Sequence, residues 1–220
     1  MLEELKYRVW EANRRLAKLG LAKFSEGSVS GADRDKGLFV IKPEGVDFDE
    51  LLPESFSVID FNANVLEGDT PSADWLTHLA LYKSFADIGA VAHFAGDSSL
   101  GFAAARRPVP VFSTLHAKHF KGDIPATRLL TKEEIAQDFE LNIGKTVAEA
   151  FENRSYTEIP AVIVSGDMPY AWAKTPQDAV MNAAYAETAA KTALSALTLS
   201  QGLPPLSVPM IEKVWTKNTR

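Results

Sequence analysis

The sequence contains no cysteine. Disulfides, thiolate-bound metals and a cysteine nucleophile are therefore excluded, although no compartment is. Positive charge is short as well: 23 Lys and Arg stand against 29 Asp and Glu, for a net charge of −6. Arg106, Arg107, Lys118 and Lys121 make only a thin basic patch, so no nucleic-acid partner is expected. No apolar run approaches the ~20 residues that span a bilayer, so no membrane partner is expected. The charged, amphipathic opening MLEELKYRVWEANRRL does not read as a secretion signal, which leaves the cytoplasm as the expected location. Histidine is scarce, at four residues, and its distribution is therefore informative.

Three of those four histidines fall between Ile88 and Arg128. That stretch reads as an apolar strand ending in His93, a turn at Gly96-Asp97, a short Ala-rich helix and a second strand at Val109–Phe112. A polar crossing with His116, Lys118 and His119 follows. Strand ends hold a backbone still while loops supply variety, so this is the first place to look for chemistry.

At 220 residues the chain is most simply one domain, 1–220, large enough for a substantial core. Leu2, Leu5, Val9, Trp10, Leu16 and Leu19 recur at helical spacing over residues 2–20, and Gly20 closes the run. SVSGAD and GLFVIKP read as two short strands about a turn at Arg34–Gly37, and Ser57–Asn62 as a third. Thr70-Pro71-Ser72-Ala73-Asp74 opens a helix with Ser72 as N-cap. Asp74 is then favoured in the first turn by the helix dipole, and His78 is expected as a packed helix residue. Thr131 to Glu134 form a capping box that starts a helix through about Glu152. Ala161–Val164 and MPYAWAK read as strands. Thr175 and Pro176 launch a long Ala-rich helix to about Ser200, with a short polar tail after it. Strands alternating with helices in this order predict a central sheet with helices on its faces.

Taken together, GSVSGADRDKGLFVIKPEGVD, DTPSADWLTHLALY, IGAVAHF, LHAKHFKGDIPATR and PYAWAKTPQDAVMNA resemble the class II aldolase family over nearly the whole chain. The nearest branch is L-ribulose-5-phosphate 4-epimerase. The resemblance implies an α/β fold, a three-layer αβα domain around a mainly antiparallel sheet, in a homotetramer with active sites between subunits. It also implies a divalent metal held by an H-x-H pair and a late histidine, with a carboxylate nearby. Such an ion stabilises an enediolate during retro-aldol and aldol steps.

Carried over position by position, the resemblance implies an altered site. The H-x-H pair reads His93-Phe94-Ala95, the late histidine is Asp167, and the carboxylate is Asp74. His93, Asp167 and Asp74 form the candidate metal set, to which Asp97 could add an oxygen. Its oxygen-rich character suits magnesium or manganese better than zinc, and no metal at all is the other expectation. The family's acid/base aspartate is Lys118, so Lys118 and Asp74 are the candidate catalytic residues. The family's C-terminal tyrosine has no counterpart in KVWTKNTR. The phosphate-binding positions read Gly27-Ser28, Lys42-Pro43-Glu44-Gly45 and Ser72-Ala73, with a carboxylate where a phosphate would sit. Gly27, Ser28, Lys42, Glu44, Gly45, Ser72 and Ala73 are thus the candidate substrate-binding set. Two readings stand side by side. One is a divergent epimerase or aldolase acting by retro-aldol chemistry on a small sugar-like polyhydroxy carbonyl compound. The other is a catalytically degenerate relative that serves as a binding or assembly module.

Overall fold

The computed structural model describes residues 2–218. Its strands are β1 (Ser28–Asp33), β2 (Leu38–Ile41), β3 (Ser57–Asp60), β4 (Val65–Glu67), β5 (Ala90–His93), β6 (Ala161–Val162) and β7 (Tyr170–Ala173). They form one seven-stranded sheet in the order β4-β3-β2-β1-β5-β7-β6, with every neighbouring pair antiparallel. The helices are α1 (Glu3–Lys18), α2 (Trp75–Ser84), α3 (Asp97–Ala105), α4 (Thr114–His119), α5 (Lys132–Ala136), α6 (Phe139–Ala150), α7 (Pro176–Leu199) and α8 (Val208–Asn218). The expected αβα fold with a central antiparallel sheet is the one observed.

The two faces of β1 explain the layering, because side chains alternate along a strand. Gly31 turns toward α1 and α7: a Cβ there would meet Val9 Cγ2 at 2.8 Å and Pro176 Cγ at 3.0 Å. Ser28 and Ser30 turn the other way, toward His78 of α2. One helical layer is thus built on α1 and α7, and the other on α2 with α6 packed against it. In α7 the buried positions Ala179, Ala183, Ala186, Ala190 and Ala193 form a small-residue stripe at helical spacing, which lets the helix lie close to the sheet.

Several local expectations are corrected. Val109–Phe112 is not a strand; Val109 and Ile124 exchange one isolated pair of backbone bonds at 3.0 and 3.1 Å. Pro108 and Pro110 flank that pair and lack the N–H groups a ladder needs. The polar crossing is the short helix α4, capped by the Ser113 side chain. Ser72 does not cap α2: the N-cap position is Asp74, and its side chain makes no capping bond. The helix expected over 131–152 is two, α5 and α6, because the chain turns at Gln137 (φ −98°, ψ −96°). That turn lets the Glu140 carbonyl accept the Thr77 hydroxyl at 2.6 Å. Residues 208–218, expected as part of a short polar tail, form α8, packed on α4. The short edge strand β4 had no sequence signal. Leu19, expected on the inner face of the first helix, is exposed, whereas Lys6, Ala12 and Asn13 are buried there. No described helix is long and apolar enough to cross a membrane.

Candidate active site

Three strands bring Ser28, His93 and Tyr170 into one row. Ser28 is the direct cross-strand partner of His93, and His93 of Tyr170. Directly opposed residues on antiparallel strands share a face. Here the His93 and Tyr170 rings stack with centroids 4.0 Å apart and planes 5° from parallel. The N-cap of α2 places Asp74 over this row.

Asp74 is 5% exposed and is the hub of the cluster. Its Oδ2 accepts the Ser28 hydroxyl at 2.6 Å and lies 2.7 Å from His93 Nδ1. His78 Nε2 is 3.3 Å from the same oxygen. These contacts explain why Asp74 does not act as a dipole-stabilised first-turn residue: its carboxylate is drawn into the interior. Burial alone would raise its pKa, but the His78 and His93 imidazoles beside it hold it well below the usual carboxylate range. An ionised carboxylate facing Nδ1 favours a proton on that nitrogen, so in the neutral tautomer it is Nε2 that carries the lone pair. His93 Nε2 and Asp74 Oδ1 are both buried and both lack a hydrogen-bond partner. The His93 side chain keeps 9% of its surface exposed.

Behind Asp74 runs a chain of hydrogen bonds. Because Ser28 donates to Asp74, its Oγ must accept from His78 Nε2 at 3.1 Å. Ser30 Oγ then lies 2.7 Å from His78 Nδ1 and 2.7 Å from the Tyr82 hydroxyl. Burial raises the Tyr82 pKa, which keeps the terminal donor protonated. His78 is the packed helix residue expected from its position, and it also orients the site.

Two groups had no usable sequence signal. Tyr170 is fully buried, and its hydroxyl has no hydrogen-bond partner. Burial, followed by the charges of Asp74, Asp167 and Glu140, raises its pKa well above the ordinary value, so it stays a donor. Glu140, in the first turn of α6, reads from sequence as an ordinary dipole-favoured acid. In the fold its Oε2 is 3.2 Å from Thr77 Oγ1. Its pKa is raised by burial and then by the charge of Asp74. Only the sheet register and the α5–α6 turn bring these residues to Asp74.

The other expected residues are placed as follows. Asp167 is half-buried, and its Oδ1 accepts the Met168 N–H at 2.7 Å. Asp97 is 85% exposed and pairs with Lys23 at 2.9 Å. Lys118 lies on the exposed side of α4, which packs on α7 and α8. Lys42 is 1% exposed, and its ammonium donates to the carbonyls of Ser25 at 3.0 Å and Pro43 at 3.3 Å. Gly27 has φ +99°, and a Cβ there would meet the His93 carbonyl at 3.1 Å. Glu44 and Gly45 are exposed, Gly45 at φ +68°. The Glu44 N–H bonds to Thr70 O and the Ser72 N–H to Lys42 O, each at 2.9 Å. Ala73, beside Asp74, is exposed.

The sequence profile of the Class II Aldolase and Adducin N-terminal domain matches residues 7–194. The chain belongs to that family. It is 38% identical over 213 residues to the L-ribulose-5-phosphate 4-epimerase UlaF of Salmonella paratyphi A, covering 96% of this chain and 93% of the relative. The corresponding protein of Salmonella typhi matches equally. Among solved structures, an L-fuculose 1-phosphate aldolase superposes with a TM-score of 0.84 at 26% identity, covering 99% of this chain and 97% of that one. The L-fuculose-1-phosphate aldolase of Thermus thermophilus superposes at 0.71 with 18% identity, over 92% of this chain and 100% of that one, which supports the fold alone.

The family implies a divalent metal, and the donor set tests whether this chain fits one. Among the described residues no three His, Cys, Asp or Glu side chains form a group able to hold a metal ion. Of the candidate set, Asp74 and His93 come together through Oδ2 and Nδ1, which leaves Oδ1 and Nε2 as their two unpartnered atoms. Asp167 has one oxygen turned back on its own backbone. The expected Asp74–His93–Asp167 ligand group is therefore not assembled. A zinc site needs more nitrogen donors, and a magnesium site needs a fuller oxygen shell.

Proposed function

We propose that this protein catalyses retro-aldol and aldol-type interconversion of a small polyhydroxy carbonyl compound, with the His93–Asp74 pair as its proton-transfer group. The observation that carries this reading is the 2.7 Å contact between His93 Nδ1 and Asp74 Oδ2, which leaves Nε2 unpartnered. In this reading Nε2 takes the proton of the substrate's β-hydroxyl. The carbon–carbon bond then breaks, its electron pair moves onto the carbonyl side, and an aldehyde and an enediolate result. Asp74 stabilises the imidazolium formed, and the Tyr170 hydroxyl, held protonated, donates to the developing oxyanion. Re-addition to the other aldehyde face returns the proton and gives the epimer, while release of the aldehyde gives cleavage. No step is assigned to a metal ion.

Lys118 is assigned to the pocket of an adjacent copy in a homotetramer, as an acid or an electrostatic clamp. Its place on α4, apart from the elements that carry Asp74 and His93, supports that role over one in its own pocket.

The deciding experiment follows L-ribulose 5-phosphate, L-fuculose 1-phosphate and the free sugars by NMR in deuterated water. Aldehyde release, epimer formation or deuterium at the enediolate carbon is expected. Turnover should fall by roughly 100-fold or more in His93→Asn, the usual scale for loss of a general base. No conversion of any of these compounds, or an unaffected His93→Asn, overturns the reading.

A further inference from the structure

Asn13 lies on the buried face of α1, sealed from solvent and outside the proton-transfer group proposed above. We infer that it is a positioning residue of the candidate active site: its carboxamide stands in for a missing residue of β2 and so holds Ser28 against Asp74. This inference rests on the proposed function for its kinetic consequence alone.

β2 stops one residue short. The register pairs Ser30 with Ile41, the last residue of β2, so Lys42 would face Val29 if the strand ran on. Successive residues of a strand turn their N–H and C=O groups to alternate neighbours. Ala32 donates to the Gly89 carbonyl on the β5 side at 2.8 Å, which turns the Val29 groups toward β2. A continued ladder would give the Val29 N–H to the Lys42 carbonyl. That carbonyl instead accepts the Ser72 N–H at 2.9 Å, two residues before Asp74. Val29 is wholly buried, and an unpaired backbone there would be costly.

Asn13 supplies what Lys42 does not. Its Oδ1 accepts the Val29 N–H at 2.9 Å, and its Nδ2 donates to the Val29 carbonyl at 2.9 Å. Nδ2 also donates to the Val9 carbonyl at 2.8 Å. The amide has one workable orientation, because a flipped group would set its NH2 against the Val29 N–H. Gly31 permits the approach of α1. A Cβ there would meet Val9 Cγ2 at 2.8 Å and Leu5 Cδ1 at 3.0 Å.

Val29 stands between two residues that reach the site from the other face of β1. Ser28 Oγ donates to Asp74 Oδ2 at 2.6 Å, and Ser30 Oγ lies 2.7 Å from His78 Nδ1. Asn13 thus fixes the backbone that carries both serines, and the freed Lys42 carbonyl fixes the chain leading into Asp74. The short Ser28–Asp74 bond is lost with a drift of about 1 Å between β1 and α2.

Carbon-13 NMR of the Asp74 carboxyl group tests this in wild type, Asn13→Ala and Ser28→Ala. The Asn13→Ala resonance should leave the wild-type position and move to that of Ser28→Ala; an unmoved resonance overturns the inference. Turnover of L-ribulose, L-fuculose, L-ribulose 5-phosphate and L-fuculose 1-phosphate is followed in the same proteins and in the double variant. Asn13→Ala should lower kcat about tenfold or more with KM within about twofold. It should cost less than about twofold where Ser28 is already alanine. Equal losses in both backgrounds overturn the inference and make Asn13 a residue of the fold alone. Should Asn13→Ala not fold, Asn13→Asp, which keeps the acceptor for Val29 and loses both donors, takes its place in both measurements. Failure of both variants to fold overturns the inference as well. If wild type converts none of the four compounds, the proposed function falls, and the carboxyl resonance still decides the place of Asn13.

Discussion

The Tyr170 ring lies parallel to the His93 ring at 4.0 Å, yet its hydroxyl is buried without a hydrogen-bond partner. The stacked ring and the hydroxyl can be tested apart. Tyr170→Phe should therefore keep the fold and leave stability unchanged or raise it by up to about 1 kcal/mol, since it removes an unsatisfied polar atom. Turnover should fall at least tenfold if the hydroxyl donates to the oxyanion. Denaturant melts alongside kinetics separate the two effects, and a clear loss of stability would show that the hydroxyl is satisfied in solution.

Asp74→Asn tests the other side of the pair. It removes the charge that holds the proton on His93 Nδ1, and so scrambles the imidazole tautomer. Nitrogen-15 NMR of the His93 ring should show protonated Nδ1 and unprotonated Nε2 in the wild type near neutral pH, and a mixture in Asp74→Asn. The same tautomer in both would remove Asp74 as the orienting group.

Gly144 sits where α6 crosses α2, and a Cβ there would collide with Ala80 and crowd the Thr77 carbonyl at 3.2 Å. Gly144→Ala should destabilise the fold by about 1–3 kcal/mol, the usual cost of overpacking a tight crossing. Because Thr77 contacts Glu140, turnover should fall too. A melt indistinguishable from wild type would contradict this packing.

His116 gives the fold an acid-sensitive element away from the site. Its ring is 3% exposed, and burial lowers its pKa from the ordinary 6.5 to about 4. The unfolded chain thus binds a proton between these values while the folded chain does not. This contribution is intact above the unfolded pKa and is lost as pH falls through the interval, by up to about 3 kcal/mol. His116→Gln should flatten the slope of stability between pH 7 and pH 4, measured by urea unfolding. An unchanged slope would assign the acid loss elsewhere.

The reduced donor set predicts that Zn²⁺, Mg²⁺ and Mn²⁺ leave the melting temperature of the wild type where it is. A shift with one metal that disappears in His93→Asn would restore a metal to this site. Light scattering of the same samples should give a mass near four times the 24.0 kDa chain; a monomer would remove the role assigned to Lys118.

Much of this was legible in the residues. His93 at a strand end, the Thr175-Pro176 helix start and the Thr131 capping box all rest on local chemistry, and all are found where expected. Asp74 was picked out only through the family resemblance. Its own spacing suggested a first-turn residue favoured by the helix dipole, because the partners that draw it inward, Ser28 and His93, lie 46 and 19 residues away in sequence. Tyr170 and Glu140 escaped for the same reason: neither sits in a local pattern that sets it apart from ordinary strand or helix residues. The prolines at 108 and 110 were visible throughout, and reading their missing N–H groups would have prevented the strand assignment at Val109.

The strand order carries a consequence for how this molecule is made. Strands β1 to β4 form a meander of sequence neighbours, so they can pair as soon as they leave the ribosome. β5 waits between β1 and β7 for a partner that arrives with residue 170. Until then one edge of the apolar Ala90–His93 strand is bare and open to other chains. The row of Ser28, His93 and Tyr170 is completed late in synthesis. A nascent chain stalled before β7 keeps its meander, but it has no site and one exposed, adhesive edge.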